Sequence, residues 1–144
     1  MKSILSLALV FAVIGIASAQ TPIDDLQKQN LRFLENQESQ GYGFRSQIIT
    51  EFDPAHASQN VNIKLSSEYT YVIVALGDSN IPKVDLTIKP AKGAAMKSVD
   101  LGTDLAGQAY QLTPSKSGRF KISIQATGLA SNKPGFISFM VLRK

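Results

Sequence analysis

From Tyr42 to the C-terminus, apolar side chains return at every second residue, and a chain with that period must bury one face of a pleated strand. Val61, Ile63 and Leu65 alternate with Asn60, Asn62, Lys64 and Ser66. Val84, Leu86 and Ile88 alternate with Asp85, Thr87 and Lys89, and Phe120, Ile122 and Ile124 with Arg119, Lys121, Ser123 and Gln125. Tyr69 to Leu76 runs apolar on both faces, which predicts a central strand covered on both sides, partly by a helix. Phe136 to Leu142 has the same character and closes the chain. Shorter candidates are Phe44 to Phe52, Lys97 to Leu101 and Ala109 to Thr113. Asp53-Pro54, Gly77-Asp78-Ser79-Asn80, Lys92-Gly93, Ser115 to Gly118 and Ser131 to Gly135 separate these runs with turn-forming residues. About eight regularly spaced strands joined by turns predict an all-β, antiparallel β-sandwich of jelly-roll type over residues 42–144.

Residues 20–41 have a different period. Thr21-Pro22-Ile23-Asp24 is a helix start, with Thr21 as N-cap, Pro22 in the first helical position and an acid in the third. Ile23, Leu26, Leu31, Phe33 and Leu34 share one arc of the helix that follows. Gly41 and Gly43 end it near Gln40. This helix is expected to cap an open edge or end of the sandwich.

The first nineteen residues read as a cleavable signal peptide. Lys2 supplies the positive charge, Ile4 to Ile16 the apolar stretch and Ala17-Ser18-Ala19 the small-residue site, with cleavage before Gln20. A membrane anchor would need about 20 apolar residues, and this stretch has thirteen. No other segment is suited to span a bilayer, so the expected product is exported and soluble, either periplasmic or secreted. The chain has no cysteine, which rules out disulfides, thiolate metal sites, a papain-type nucleophile and a lipid-modified N-terminus.

Without Lys2, 14 basic residues face 11 acidic ones, and the excess lies downstream of residue 60. A basic face could attract anionic envelope polymers, although a solvated surface accounts for the same numbers. The lysines are scattered and lack interleaved stacking aromatics, so nucleic acid is not an expected partner.

Few side chains suggest chemistry. His56 is the only histidine, and it sits in a turn with Asp53 as its one acidic sequence neighbour. No G-x-S-x-G elbow supplies a serine nucleophile, and one histidine is too few for a zinc site. Asp78, Asn80 and Asp85 could gather oxygens around calcium, but the same groups also serve simply as turn formers and a solvent-facing strand residue. Tyr42, Tyr69, Tyr71 and Tyr110 could form a carbohydrate platform, or they could pack in the core and along edges. Gly41-Tyr42-Gly43 lacks the residues of a phosphate cradle.

The strand motifs resemble those of the bacterial pre-peptidase C-terminal domain. Tyr71-Val72-Ile73-Val74-Ala75-Leu76 runs into Gly77-Asp78, and Val84-Asp85-Leu86-Thr87-Ile88 is similar to that family's Asp-Leu-x-Leu strand. Ser117-Gly118-Arg119-Phe120-Lys121-Ile122-Ser123-Ile124 is similar to its Ser-Gly-x-Tyr-x-Val-x-Val strand, and Gly135-Phe136-Ile137-Ser138-Phe139 sits where its closing strand begins. Lys83 and Val84 stand where the family commonly has two acids, a departure that weakens any carry-over of an acidic site. The resemblance implies a sandwich fold in its free-standing exported form. It also implies an accessory role in secretion, protection of a partner or holding of a substrate.

The expected function is therefore a non-enzymatic exported module that binds a protein or a cell-envelope polymer, with no cofactor. The alternatives are a lectin-like or calcium-dependent carbohydrate binder and an unrecognised hydrolase.

Overall fold

The computed structural model describes residues 21–90, 92, 95–100, 102 and 106–144. The expected signal peptide and Leu101 lie outside these residues. Among the described residues one helix, α1 (Pro22–Ser39), precedes eight strands: β1 (Gly43–Phe52), β2 (Ser58–Leu65), β3 (Tyr71–Gly77), β4 (Lys83–Lys89), β5 (Met96–Asp100), β6 (Gly107–Pro114), β7 (Gly118–Thr127) and β8 (Gly135–Arg143). The strands form two antiparallel sheets, ordered β1-β8-β3-β6-β5 and β2-β7-β4. Consecutive strands cross between sheets at every step except β5 to β6, which pair as neighbours. This is the winding of a jelly-roll sandwich with β5 attached to the larger sheet.

Side-chain alternation explains the layers. Phe52, Tyr71, Ile73, Ala75, Leu112, Ile137, Phe139 and Val141 point inward from the five-stranded sheet, where they meet Leu65, Val84, Leu86, Phe120, Ile122 and Ile124 of the other sheet. Each such Val, Leu, Ile or Phe side chain stabilises the fold by about 1.5–3 kcal/mol through burial. Gln108 Oε1 accepts the Leu86 N–H at 2.6 Å, tying the β4 edge to the opposite sheet.

Strand β3 is buried on both faces, as expected from its apolar run. Val72, Val74 and Leu76 point outward and pack with Ala109, Met140, Leu142, Tyr42 and Leu26 of the helix. The helix therefore covers a sheet face, over β8 with β1 and β3 beside it. The expectation that it would cap an edge or end is corrected. Two apolar faces on β3 and β8 need cover, and the three-stranded sheet can reach only one of them.

The start of the helix matches the sequence reading. The Thr21 N–H and hydroxyl both donate to Asp24 Oδ2, at 3.0 and 2.8 Å, and Gly41 closes the other end at φ +89°. Its rotation matches in part. Leu26, Phe33 and Leu34 of the expected arc pack on the sheet, while Leu31, expected beside them, is 59% exposed. Asn30 and Gln37 are instead 6% and 4% exposed. Among the described residues, no helix is long and apolar enough to cross a membrane.

The Gln37 side-chain Oε1 is buried without a hydrogen-bond partner, and an unmet buried acceptor costs about 1–3 kcal/mol. Gln37→Leu should therefore raise stability by about 1 kcal/mol in urea unfolding, and a drop would contradict this account of the helix–sheet layer. The Thr21 hydroxyl, and then its backbone N–H, hold the Asp24 carboxyl below its ordinary value. The cap therefore contributes above the ordinary aspartate range and is lost as pH falls through the lowered folded value. Hydrogen exchange at the Asp24 and Asp25 amides should show extra opening of this first turn below about pH 4, and Asp24→Asn should show that opening at neutral pH.

Candidate functional site

A five-stranded sheet is too wide for one helix. Strands lie about 4.8 Å apart, and a helix with its side chains is about 10–12 Å across, so α1 covers two or three strands. The outer face of β1, at the sheet edge, is left partly open. Between it and the helix runs a groove of about 290 Å³. Leu31, Leu34, Gln27 and Asn30 line the helix side, and Phe44, Gln47 and Ile49 line the strand side, with Met140 between them.

The walls are apolar and open to solvent, with Phe44 43% and Ile49 37% exposed. The register explains this: Phe44, Gln47 and Ile49 pair with Leu142, Met140 and Ser138 of β8, on the same outer face. A register shift between Phe44 and Ser46 puts Arg45 in a bulge, and from Ser46 the ladder is regular to Phe52. Among the described residues, strand β1 pairs with β8 alone and its other edge is unpaired. Gln47 Nε2 donates to Ser138 Oγ at 2.9 Å, which satisfies that buried hydroxyl.

Asn30 has no such partner. Both its Nδ2 and its Oδ1 are buried without a hydrogen bond. Its carboxamide therefore has two donors and an acceptor unmet within the wall of the groove. The buried Gln29 Oε1, Gln37 Oε1 and Tyr42 hydroxyl of the same helix–sheet region are likewise without partners. Retaining several such groups in a small layer is costly, and a functional layer is one setting in which they persist.

The residues singled out from the sequence lie elsewhere. Tyr42 is buried on the helix side of the larger sheet, and Tyr71 is buried on its inner side. Tyr69 and Tyr110 are half-buried against the inner core. Tyr69 and Tyr71 meet edge to face with centroids 6.3 Å apart, Arg143 stacks on Tyr69 at 4.0 Å, and the Tyr71 hydroxyl accepts the Ser66 N–H at 2.9 Å. The four rings do not share one exposed face.

Asp78, Asn80 and Asp85 do not converge either. Asp78 is buried, with Oδ1 accepting the Asn80 N–H and Oδ2 the Phe136 N–H, each at 2.9 Å. Asn80 Nδ2 donates to the Pro134 carbonyl at 3.0 Å. These bonds fasten the β3–β4 turn to the start of β8, where Ile81 fills the notch beside Gly135. A β-carbon on Gly135 would lie 2.5 Å from Ile81 Cδ1 and 2.9 Å from Asp78 Oδ1. Asp85 lies on the outer face of the smaller sheet, 3.0 Å from Lys83 Nζ. Among the described residues no group of three or more His, Cys, Asp or Glu side chains is placed to hold a metal.

His56 is on the exposed β1–β2 turn, with Nδ1 3.2 Å from Asp53 Oδ1. The His56 backbone N–H, then its ring, hold the Asp53 carboxyl below its usual value. Asp53 Oδ1 also accepts the N–H groups of Ala55 and His56, at 2.8 and 2.7 Å, so this pair organises the turn.

Asp78→Ala should cost about 3 kcal/mol, because it removes two hydrogen bonds to a buried carboxylate, each worth about 1.5–3 kcal/mol. Calcium followed by chelator should leave the melting temperature of the unaltered chain unchanged, since both Asp78 oxygens already bind backbone N–H groups. A calcium-dependent rise would contradict the turn-fastening role. In comparisons with known proteins, no family model, curated protein or solved structure matches this chain.

Proposed function

We propose that the chain is an exported, non-catalytic binding module that holds an extended segment of a partner protein along β1, with side chains entering the α1–β1 groove. The carrying observation is Asn30, a buried carboxamide with neither donor nor acceptor engaged, at an apolar groove beside an unpaired strand edge. A polar side chain of the added segment that enters the groove meets the Asn30 carboxamide there. Strand addition would also satisfy the free edge of β1, and alternate side chains of the added segment would fall beside Gln47 and Ile49. The bulge at Arg45 limits the usable edge to the regular stretch from Ser46.

The export part of this reading rests on the leader-like first nineteen residues. The accessory role agrees with what the resemblance to the pre-peptidase C-terminal domain implies.

Selection from a displayed library of linear peptides tests the proposal. The full chain should enrich sequences of alternating apolar residues, and these should lose at least about tenfold in affinity, roughly 1.4 kcal/mol, on Ile49→Lys. Asn30→Leu should fold at least as stably as the parent, because it removes two unmet polar atoms, yet bind the same peptides more weakly. The proposal fails if no sequence class is enriched, or if the enriched peptides bind both variants as well as the parent.

A further inference from the structure

The opposite side of the sandwich has a different surface. On the outer face of the three-stranded sheet, Lys89 lies directly across from Lys121, and Lys64 directly across from Arg119. All four are exposed. The two ion pairs found among the described residues, His56–Asp53 and Lys83–Asp85, involve none of them. The one acid on these strands, Asp85, pairs across the sheet with Gln125 and is engaged by Lys83, away from the four cations.

Like charges facing each other across strands destabilise a sheet. Two such pairs, side by side on β7, are more than solvation of the face requires, since a single opposite charge would relieve each. Next to them run polar, uncharged side chains. Asn62 is across from Lys121, and Asn60, Ser123 and Thr87 form the adjoining row. Ser123 Oγ donates to Asn60 Oδ1 at 2.7 Å, leaving the Asn60 amide donors for a ligand. The outward positions of these strands carry no aromatic ring.

We infer that this face is a second binding surface, for an acidic polysaccharide. Carboxylates along the polymer lie over Lys64, Lys89, Arg119 and Lys121, and its hydroxyls meet the Asn, Ser and Thr row. Charge complementarity selects the polyanion, and the polar row beside the cations selects a sugar backbone over a bare phosphate chain. This surface is on the other side of the molecule from the α1–β1 groove and does not depend on it. With both occupied, the module tethers a protein to an anionic carbohydrate layer.

The test is titration of the full chain with polygalacturonate, with neutral dextran and inorganic polyphosphate as separate arms. Polygalacturonate should bind, dextran should not, and binding should weaken steeply as salt shortens the screening length. Lys89→Gln/Lys121→Gln should lower affinity at least about tenfold while holding or raising the melting temperature, because it relieves a like-charge pair. Lys28→Gln on the helix should leave binding unchanged, and peptides selected on the groove should bind the double variant as before. Absence of polygalacturonate binding, binding indifferent to the double variant, or polyphosphate binding as tightly as the polysaccharide would each overturn the assignment.

Discussion

The rest of the architecture depends on the double burial of β3 and β8. Val72, Val74, Leu76, Met140 and Leu142 point away from the sandwich interior, yet they are as thoroughly buried as the residues that point into it. A sheet with two apolar faces cannot persist in a two-layer fold, so a third layer must be recruited, and α1 supplies it. The molecule is therefore a β-sandwich with a helix on one face, and the unequal widths of helix and sheet create the groove.

That mismatch sets the character of each surface. On the helix side, an 18-residue helix, about 27 Å long at 1.5 Å per residue, covers β8 and its neighbours but leaves Phe44 and Ile49 of the edge strand uncovered. On the other side no described residue packs against the outer face of the three-stranded sheet, and its outward positions are polar throughout. One outer face is consequently apolar with a buried amide, and the other is flat and cationic. They are suited to different ligands for the same reason: only one of the two sheets needed a cover.

The edges of the sandwich are treated unequally as well. Strand β4 is tied to the larger sheet by the Gln108 side chain. Strand β1 has the bulge at Arg45, while its regular part from Ser46 onward carries Ile48 and Ile49 exposed on opposite faces. Edges left flat and apolar are prone to pair with other chains. Where such an edge adjoins a groove holding an unpartnered carboxamide, pairing becomes a means of recognition.

Much of this was legible in the chain itself. The two-residue period at Val61–Leu65, Val84–Ile88 and Phe120–Ile124 determined strands and their buried faces, because a pleated strand alternates its side chains whatever surrounds it. The doubly apolar run at Tyr69–Leu76 announced a strand covered on both sides, and Thr21 with Gly41 bounded the helix through local capping geometry. Only the tertiary structure decided which way the helix rolled. Apolar count favoured an arc containing Leu31, whereas docking over β8 turned Asn30 and Gln37 inward and Leu31 out. Likewise, the pairing of Lys89 with Lys121 and of Lys64 with Arg119 depends on the register between strands distant in sequence. A single-chain pattern shows which face a residue occupies, but the partner across from it is set by how the whole sandwich winds.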